Sequence, residues 1–378
     1  MAEERGLKRR DLLKMGAAIA GGSLLAACGG GAVAPAASSA PAASGSAAPS
    51  AAASAAGGAE SIASLEAAAK AEGGQILWYN AGNPQLVKSV TDGFQKAYPW
   101  AKLTGVPLVF SDMPTKIVTE TVTGAPTADV IWSPPTLRQT WLKNNVVVKV
   151  KLVNDSLMPP TTLDTDEYAH PVWQLLIVPQ YNTKLGVKVP SDPYVFADPA
   201  WKGKLAFDRV QNLGQSTTWL SVWRKKWGDS KWQTWLDGLS KNGVLLTPNA
   251  GAAHDAVQSG EREIAIASSN YVLAQAKGAP VAMSFAIEPV PFFNHSYLTR
   301  RAKSPKSAQL FMNWSSSKDG QTAIAAVGLS PIMLTIDAPS SLGKMLPSGV
   351  EPATAADLAD FSNNTDSYEK ILSAKFPG

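Results

Sequence analysis

Residues 75–99, QILWYNAGNPQLVKSVTDGFQKAYP, decide the fold class. The first six residues form an apolar, aromatic run that is typical of a buried strand, and a turn rich in Asn, Gly and Pro ends it. Pro84 suits the first turn of a helix. Leu86, Val90 and Phe94 then recur at the spacing of one buried helix face. The stretch therefore predicts a strand followed by a helix, the repeating unit of parallel α/β sheets.

The same alternation of strands and helices runs through the rest of the chain. Further strands are predicted at 103–110, 128–132, 201–207, 244–247 and 264–267. Helices are predicted at 60–73, 114–122, 136–143, 216–227, 231–242, 251–259, 270–277, 304–316 and 318–327. Two apolar segments bounded by prolines, 171–179 and 281–290, are predicted to cross between two blocks. The sequence thus predicts an α/β protein of two lobes, each a mostly parallel sheet flanked by helices, joined by two hinge strands.

The composition excludes several classes of protein. With 378 residues, 45% of them hydrophobic, the chain has room for two or three domains. A single cysteine excludes a disulfide framework or a Cys-rich metal module, and three histidines leave little for a His-based metal centre. The formal net charge of +4 is too small to favour nucleic-acid binding.

The first 27 residues have the pattern of an export signal. Arg9 and Arg10 lie in the string KRRDLLK, and the uncharged segment 15–27 follows. At about 1.5 Å per residue this segment is too short to span a hydrocarbon core of about 30 Å. The paired arginines resemble the twin-arginine signal, and the general export route stays open as an alternative. The string LAAC ending at Cys28 matches a lipobox, which predicts that Cys28 is lipidated, whereas a buried thiol in a helix is the less favoured interpretation.

A second low-complexity segment, 28–59, follows the signal. From residue 29 to residue 59 every residue except Val33 is Gly, Ala, Ser or Pro, and no charge occurs between Lys14 and Glu60. Such a segment has almost nothing to bury and is predicted to be a disordered stalk. Removal of residues 1–27 leaves 29 positive and 27 negative groups, a net charge of +2. The basic balance of the chain therefore lies mostly in the signal.

Several strings in the remaining chain resemble one known family. Besides residues 76–99, these strings are TADVIW (127–132), VPQYNTKL (178–185), DPAWKGKLAF (198–207), AVQSGEREIAIASSNY (256–271), AKGAPV (276–281) and SPKSAQLFMNWSSSKDGQTAIAAVGLSP (304–331). Residues 74–331 are similar to the extracellular solute-binding proteins of ABC importers, the type II periplasmic binding proteins, in their ferric-iron and small-anion branch. The resemblance implies two hinged lobes that close on a small solute, which an ATP-driven permease then receives.

The resemblance and the sequence pattern together predict five parts. They are the signal at 1–27, the stalk at 28–59, the first lobe at 60–175 with 290–336, the second lobe at 176–289, and a C-terminal segment at 337–378 of uncertain packing. The expected location is the outer face of the bacterial cytoplasmic membrane or the periplasm, on a lipid anchor. The expected partners are a small polar or anionic solute, the permease with its ATPase, and the lipid bilayer. Neither nucleic acid nor a cofactor is expected, and the protein is expected to be a monomer.

The candidate ligand contacts follow the strands. Ligands of open α/β sheets bind outside the carboxyl ends of the strands, where helix N-termini favour anions. The candidates are Asn80, Gly82, Asn83, Ser111, Asp112, Trp132 and Ser133 in the first lobe, and Arg209, Gln215, Ser216, Thr217, Ser269, Asn270 and Tyr271 in the second. Asn80, Ser133, Ser216 and Tyr271 are the leading contacts. For each residue the alternative is a helix cap that needs no ligand.

The aromatic residues have two interpretations. Trp219, Trp223 and Trp227 recur four residues apart, a spacing that favours core packing over a binding surface. Trp78 and Trp132 lie at the ends of predicted strands. A position in the core and a position in the wall of the site are equally compatible with the sequence.

Ferric iron is an alternative ligand. The family's iron binders are similar to one another in paired tyrosines and a His or carboxylate, and hard Fe(III) prefers such anionic oxygens. Here Tyr271 stands alone, Asn80 and Asn83 replace the His, and prolines fill the expected Glu position. No metal site is therefore predicted, with Tyr271 as the ligand if iron is bound. The three histidines, His170, His254 and His295, are predicted to be surface or structural residues.

Two rival functions remain. An enzyme is disfavoured because no nucleophile elbow, phosphate-binding loop or paired metal-binding histidines occur in the sequence. A surface interaction or adhesion lipoprotein would use the stalk equally well, but the two predicted α/β lobes favour transport. The sequence predicts no catalytic residues.

Overall fold

The structure is a computed structural model that describes residues 61–81, 84–110, 112–159, 162 and 166–377. The signal, the stalk and Cys28 lie outside these residues. The described part belongs to one compact unit that begins at Gly57. Within it, no helix combines the length and the apolar character that a membrane crossing requires.

The strands and helices alternate along most of the described chain, as predicted. The strands are β1 Gln75–Asn80, β2 Lys102–Pro107, β3 Val130–Ser133, β4 Val147–Val148, β5 His170–Asn182, β6 Leu205–Asp208, β7 Leu245–Thr247, β8 Ile264–Ser268, β9 Val281–Met283, β10 Val290–Thr299 and β11 Ser330–Pro331. The helices are α1 Ile62–Ala71, α2 Pro84–Ala97, α3 Met113–Thr123, α4 Arg138–Lys143, α5 Gln215–Trp227, α6 Asp229–Lys241, α7 Ala250–Gln258, α8 Ser269–Ala274, α9 Pro305–Ser315, α10 Lys318–Ala325, α11 Leu342–Met345, α12 Ala355–Asn363 and α13 Thr365–Lys375. Short 3₁₀ turns, such as Pro135–Leu137 between β3 and α4, occur in the connections.

The main path of the sheet has the order β2-β1-β3-β10-β5-β8-β6-β7. At one end β1 pairs in parallel with β2 and β3, and at the other end β6 pairs in parallel with β7 and β8. The antiparallel strands β10 and β5 join the two parallel parts. We call the part around β1–β3 the first lobe and the part around β6–β8 the second lobe. This is the predicted α/β architecture with two linking strands.

The first lobe is built around a cluster of aromatic side chains. Trp78 of β1 and Trp132 of β3 are fully buried and meet edge to face, with ring centroids 4.5 Å apart. Phe311 of α9 stacks on Trp132 at 5.7 Å. The apolar face of α9 therefore covers this side of the sheet, so the closing helix returns to the first lobe as predicted.

The tryptophan-rich helices form the core of the second lobe. Trp219, Trp232 and Trp235 are fully buried in one hydrophobic cluster. The indole N–H of Trp232 donates to the carbonyl of Leu220 at 2.8 Å, and that of Trp235 donates to the carbonyl of Pro193 at 2.9 Å. Trp219 and Trp223 of the stripe are buried in this cluster and Trp227 packs against it, so the stripe is core rather than a binding surface.

The C-terminal segment joins the same core. Phe361 of α12 and Tyr368 and Leu372 of α13 are buried in the hydrophobic cluster of the second lobe. The ring of Tyr368 lies 5.7 Å from that of Trp232, and its hydroxyl donates to Asp360 at 2.6 Å. The segment whose packing the sequence left open therefore completes the second lobe.

One predicted strand was wrong. The sequence placed the second crossing strand at 281–290, but only Val281–Met283 is a strand there, and the crossing strand is β10, Val290–Thr299. Buried polar residues, among them Asn294 and Ser296, break the apolar pattern of β10. Prolines also lie on both sides of its first residue, a pattern that is typical of the end of a strand. The lobe boundaries themselves stay predictions.

Candidate functional site

The carboxyl ends of the strands in the two lobes point towards each other. Ser133, the last residue of β3, pairs with His295 of β10. Ser268, the last residue of β8, pairs with Ile177 of β5, which in turn pairs with Val290 of β10. Five steps along β10 at about 3.3 Å each separate the two positions, a distance of about 17 Å. We call this stretch, flanked by both sets of strand ends, the inter-lobe gap.

Side chains largely fill the inter-lobe gap. It holds a cavity of about 10 Å³, which is close to the space that one water molecule occupies. The lining residues come from both lobes, from β10 and from the C-terminal helix α12: Pro135, Thr136, Thr218, Pro291, Phe292, Phe293, Leu358, Phe361 and Ser362. The amide of Gln139 in the first lobe donates to Asn363 of α12 at 3.3 Å. Thus α12, which packs in the second-lobe core, also contacts the first lobe.

Three buried polar side chains at the gap have no hydrogen-bond partner within the described chain. Asn80, which ends β1, is 0% exposed, and both its amide atoms lack a partner among the described residues. The same holds for Asn294 of β10, which is 1% exposed, and for the hydroxyl of Thr136, which is 3% exposed. An unpaired buried polar group costs about 1–3 kcal/mol. A polar solute that paired with these amide and hydroxyl groups would relieve this cost, so the three residues are candidate contacts.

Asn80 was predicted as a ligand contact, whereas Thr136 and Asn294 were missed. Thr136 follows β3 by three residues, so the rule about strand ends would have found it if the 3₁₀ turn had been foreseen. Asn294 lies inside a strand, where that rule gives no signal.

Two first-lobe candidates use their polar atoms within the protein. The hydroxyl of Ser133 accepts from the indole N–H of Trp141 at 2.9 Å. The indole N–H of Trp132 donates to the hydroxyl of Ser296 at 3.1 Å, and its ring belongs to the aromatic cluster. Trp78 and Trp132 are therefore core residues in this structure, and a direct contact with a solute stays a prediction for Ser133 and Trp132.

The start of α5 is occupied by a carboxylate that the sequence analysis missed. Asp208 ends β6 and is buried, and its Oδ1 accepts from the backbone N–H of Ser216 at 2.7 Å. In return the Ser216 hydroxyl accepts from the backbone N–H of Asp208 at 3.0 Å. The hydroxyl of Thr217 donates to the carbonyl of Val210 at 2.9 Å. Ser216 and Thr217 thus hold the loop before α5, while Gln215 beside them is half-buried and its Oε1 has no partner within the described chain.

Gly214 is required by this arrangement. A Cβ atom at Gly214 would collide with Oδ2 of Asp208. Burial raises the pKa of the Asp208 carboxyl, and the hydrogen bonds from Ser216 and the backbone of Gln215 oppose that rise. The loop and helix start are therefore shaped around one internal carboxyl group.

The other second-lobe candidates lie at the start of α8. Tyr271 is half-buried, and its ring stacks on that of His254 at 5.7 Å. Burial, followed by the charge of Asp208, raises the pKa of the Tyr271 hydroxyl. The ring Nδ1 of His254 lies 2.7 Å from Oε1 of Gln180. The predicted structural role of His254 thus fits its position under Tyr271.

The remaining candidates are dispersed. Ser269 is buried, and its hydroxyl accepts from the backbone N–H of Leu176 at 3.3 Å. The side chain of Asn270 accepts from Ser268 at 2.6 Å. Arg209 and Asp112 are exposed. The predicted contacts Gly82, Asn83 and Ser111 lie outside the described residues.

No group of three or more potential metal ligands of the His, Cys, Asp and Glu types occurs within the part of the chain that the structure describes. The candidate site is therefore a set of amide and hydroxyl groups between the facing strand ends of the two lobes.

Comparison with known proteins assigns the chain to a family. Residues 89–347 match the family described as bacterial extracellular solute-binding proteins. The chain belongs to this family. An uncharacterised protein of Haemophilus influenzae is 27% identical over 155 residues, which cover 40% of this chain and 45% of that relative, so the match spans under half of the relative's length.

Solved structures of solute-binding proteins share the fold. Iron-bound HitA of Pseudomonas aeruginosa is 20% identical with a TM-score of 0.69, and the match covers 79% of this chain and 99% of that one. The periplasmic binding protein AfuA of Actinobacillus pleuropneumoniae, solved with fructose-6-phosphate, is 17% identical with a TM-score of 0.68, covering 80% and 98%. This solute-binding protein thus has the type II periplasmic-binding-protein fold that the sequence predicted.

Proposed function

We propose that this protein captures a small polar solute between its two lobes and delivers it to an ABC permease with its ATPase. The observation that carries the proposal is the set of unpaired buried groups of Asn80, Thr136 and Asn294 at the facing strand ends. A solute that paired with these groups would remove the cost of leaving them unsatisfied. Family membership and fold support a binding protein of an importer rather than an enzyme, and we propose that it acts as a monomer.

Solute binding would act through the relative population of closed and open lobes. A solute that contacts groups of both lobes stabilises the closed form, by no more than its difference in affinity for the two forms. The permease would then recognise the closed form. Thr136 from the first lobe and Thr218 from the second line the same water-sized cavity, so a small solute that enters when the lobes open would lie between the two lobes.

A thermal-shift screen of the chain from Gly57 onward tests this function. A true solute raises the melting temperature because it stabilises the folded state by RT ln(1 + [L]/Kd). The panel contains uncharged sugars and polyols, small carboxylates, sugar phosphates, inorganic phosphate and ferric salts, which cover the ligands named for the similar structures. We expect one chemical class to raise the melting temperature in proportion to the logarithm of its concentration. A chain that no class stabilises would contradict the proposed function.

The screen also decides between the solute and ferric iron. Tyr271 is the one candidate phenolate of the second lobe, and no cluster of metal ligands accompanies it in the described ranges. Stabilisation by ferric salts that Tyr271→Phe abolishes would favour iron. Stabilisation by an organic solute and not by ferric salts would favour the proposal.

We further propose that Cys28 carries a lipid that anchors the protein outside the cytoplasmic membrane. The support is the sequence pattern of paired arginines, apolar segment and LAAC string, followed by the Gly/Ala/Ser/Pro stalk. We expect Cys28→Ser to move the protein from the membrane fraction to the soluble fraction of exported material, because a thiol-linked lipid can no longer form. The measurement is fractionation of cells followed by detection of the protein, with Ser23→Ala as a matched control that keeps the thiol. Retention of the Cys28→Ser protein on membranes would refute the anchor.

A further inference from the structure

The start of α5 is the place in the second lobe where the fold alone would favour an anion. The helix has 13 residues and follows the parallel strand β6. Its first N–H groups therefore lie beyond the carboxyl end of β6 and point towards the inter-lobe gap. Such a helix start carries a partial positive charge and unpaired donors, which together attract anions. Whether a solute can use it depends on what else lies there.

The side chain of Asp208 already lies there. Its Oδ1 accepts from the N–H of Ser216 at 2.7 Å, and the backbone of Gln215 also contributes a hydrogen bond to this carboxyl. Its Oδ2 fills the space that a side chain at residue 214 would need, so the carboxyl is enclosed on that side as well. Two of the donors at the helix start, the backbone N–H groups of Gln215 and Ser216, are therefore in use.

The polar atoms that lack partners near the gap are uncharged. They belong to Asn80, Thr136, Asn294 and Gln215, which offer amide N–H, amide carbonyl and hydroxyl groups. Amides provide a donor and an acceptor side by side, a combination that matches hydroxyl groups, which both donate and accept. The exposed guanidinium of Arg209 is the nearest cation in sequence, and it lies on the loop rather than among the unpaired groups.

We propose that Asp208 is a specificity-determining residue, a buried carboxyl group that occupies backbone donors at the start of α5 and so prevents the helix from binding an anionic group. The solute would then present uncharged hydroxyl or amide groups to the second lobe. This inference rests on the proposed function and names the chemical class of its solute. The sequence analysis expected a polar or anionic solute near helix N-termini, whereas at α5 a carboxyl group of the chain itself takes the position that an anion would occupy.

The test measures binding of inorganic phosphate and fructose 6-phosphate to the full chain by calorimetry. Asp208→Asn removes the acidic group, and with it any negative charge at this position, while its amide oxygen keeps an acceptor for Ser216. Asp208→Ala frees the N–H groups that the carboxyl occupies. We expect either variant to bind phosphate at least about tenfold more tightly than the unsubstituted chain. If Asp208→Ala fails to fold, Asp208→Asn decides the matter, since it preserves shape and hydrogen bonding.

Asp198→Asn is the matched control. Asp198 lies in the same lobe before β6, is exposed, and accepts from the backbone N–H of Ala200 at 2.8 Å, so its substitution changes the net charge equally. We expect no change in phosphate affinity for this variant. Tight phosphate binding by the unsubstituted chain that Asp208→Asn does not improve would overturn the proposal.

The two hypotheses fail in different ways. Stabilisation of the unsubstituted chain by phosphate would leave the proposed transport function standing and refute the role of Asp208. Gain of phosphate binding in Asp208→Asn, together with no stabilising solute for the unsubstituted chain, would support the role of Asp208 and contradict the transport function.

Discussion

A chain that ends at Pro352 is expected to lose the fold of its second lobe. The truncation removes α12, α13 and the residue that follows α13, which together contribute five large buried side chains to the second-lobe core: Leu358, Phe361, Tyr368, Leu372 and Phe376. Burial of each such side chain contributes about 1.5–3 kcal/mol, so five of them contribute about 8–15 kcal/mol. Because a whole domain is stable by only about 5–15 kcal/mol, this loss is enough to unfold the lobe.

Tryptophan fluorescence and urea unfolding of the chain from residue 57 to residue 352 measure this effect. Trp232 packs against Tyr368 at 5.7 Å, so its emission should shift towards that of exposed tryptophan. Tyr368→Phe is the matched control, because it keeps the ring and removes only the hydroxyl that donates to Asp360. We expect this control to lose about 1 kcal/mol. A truncated chain with the unfolding midpoint of the full chain would show that the C-terminal helices are dispensable.

The order of strands and helices was predictable because periodicity reports burial directly. The run before Asn80 is continuously apolar, as a largely buried strand requires, and the helix after Pro84 repeats its apolar residues at the spacing of one buried face. The strand β10 was not predictable in the same way, because its buried face contains Asn294 and Ser296. A polar residue buried for a function or for hydrogen bonding looks, in the sequence, like a residue of a loop.

The candidate site was predictable at the level of strand ends but not at the level of single contacts. The rule that ligands lie beyond the carboxyl ends of strands selected Asn80, and the structure gives Asn80 an unpaired buried amide. The same rule selected Ser133 and Ser216, whose hydroxyl groups bond within the protein. Sequence alone does not distinguish the two cases, because a capping serine and a ligand-binding serine have the same neighbours along the chain.

Asp208 illustrates why the remainder was missed. Asp208 directly follows the predicted strand at 201–207, and the position of its side chain depends on how β6 and α5 meet. Only the three-dimensional arrangement shows that its carboxyl group reaches the N–H of Ser216, eight residues later. The chemical preference of the site therefore depends on a contact that no local pattern encodes.

Asn80→Leu is expected to separate the stability of the protein from its function. Leucine has the branched shape and the number of side-chain heavy atoms of asparagine but no polar atoms, so the substitution removes two unpaired polar atoms from the interior. We expect the free energy of unfolding to stay the same or to rise by up to about 1–3 kcal/mol, since replacing an unsatisfied buried polar group relieves its desolvation cost. Urea unfolding of the chain from Gly57 onward measures this change.

The affinity for the solute is expected to change in the opposite direction. If Asn80 pairs with the solute, leucine leaves the solute's own polar groups unsatisfied, and the affinity should fall about 100-fold for the compound that most stabilises the unsubstituted chain. Asn182→Leu is the matched control, because the amide of Asn182 is buried and fully used, donating to Val257 at 2.7 Å and accepting from Lys184 at 2.9 Å. This control should lose stability and keep its affinity. If Asn80→Leu loses stability and keeps its affinity, as expected for Asn182→Leu, then Asn80 is a structural residue. Removal of an amide that stabilises the fold lowers the free energy of unfolding, whereas removal of an amide that contacts the solute lowers the affinity.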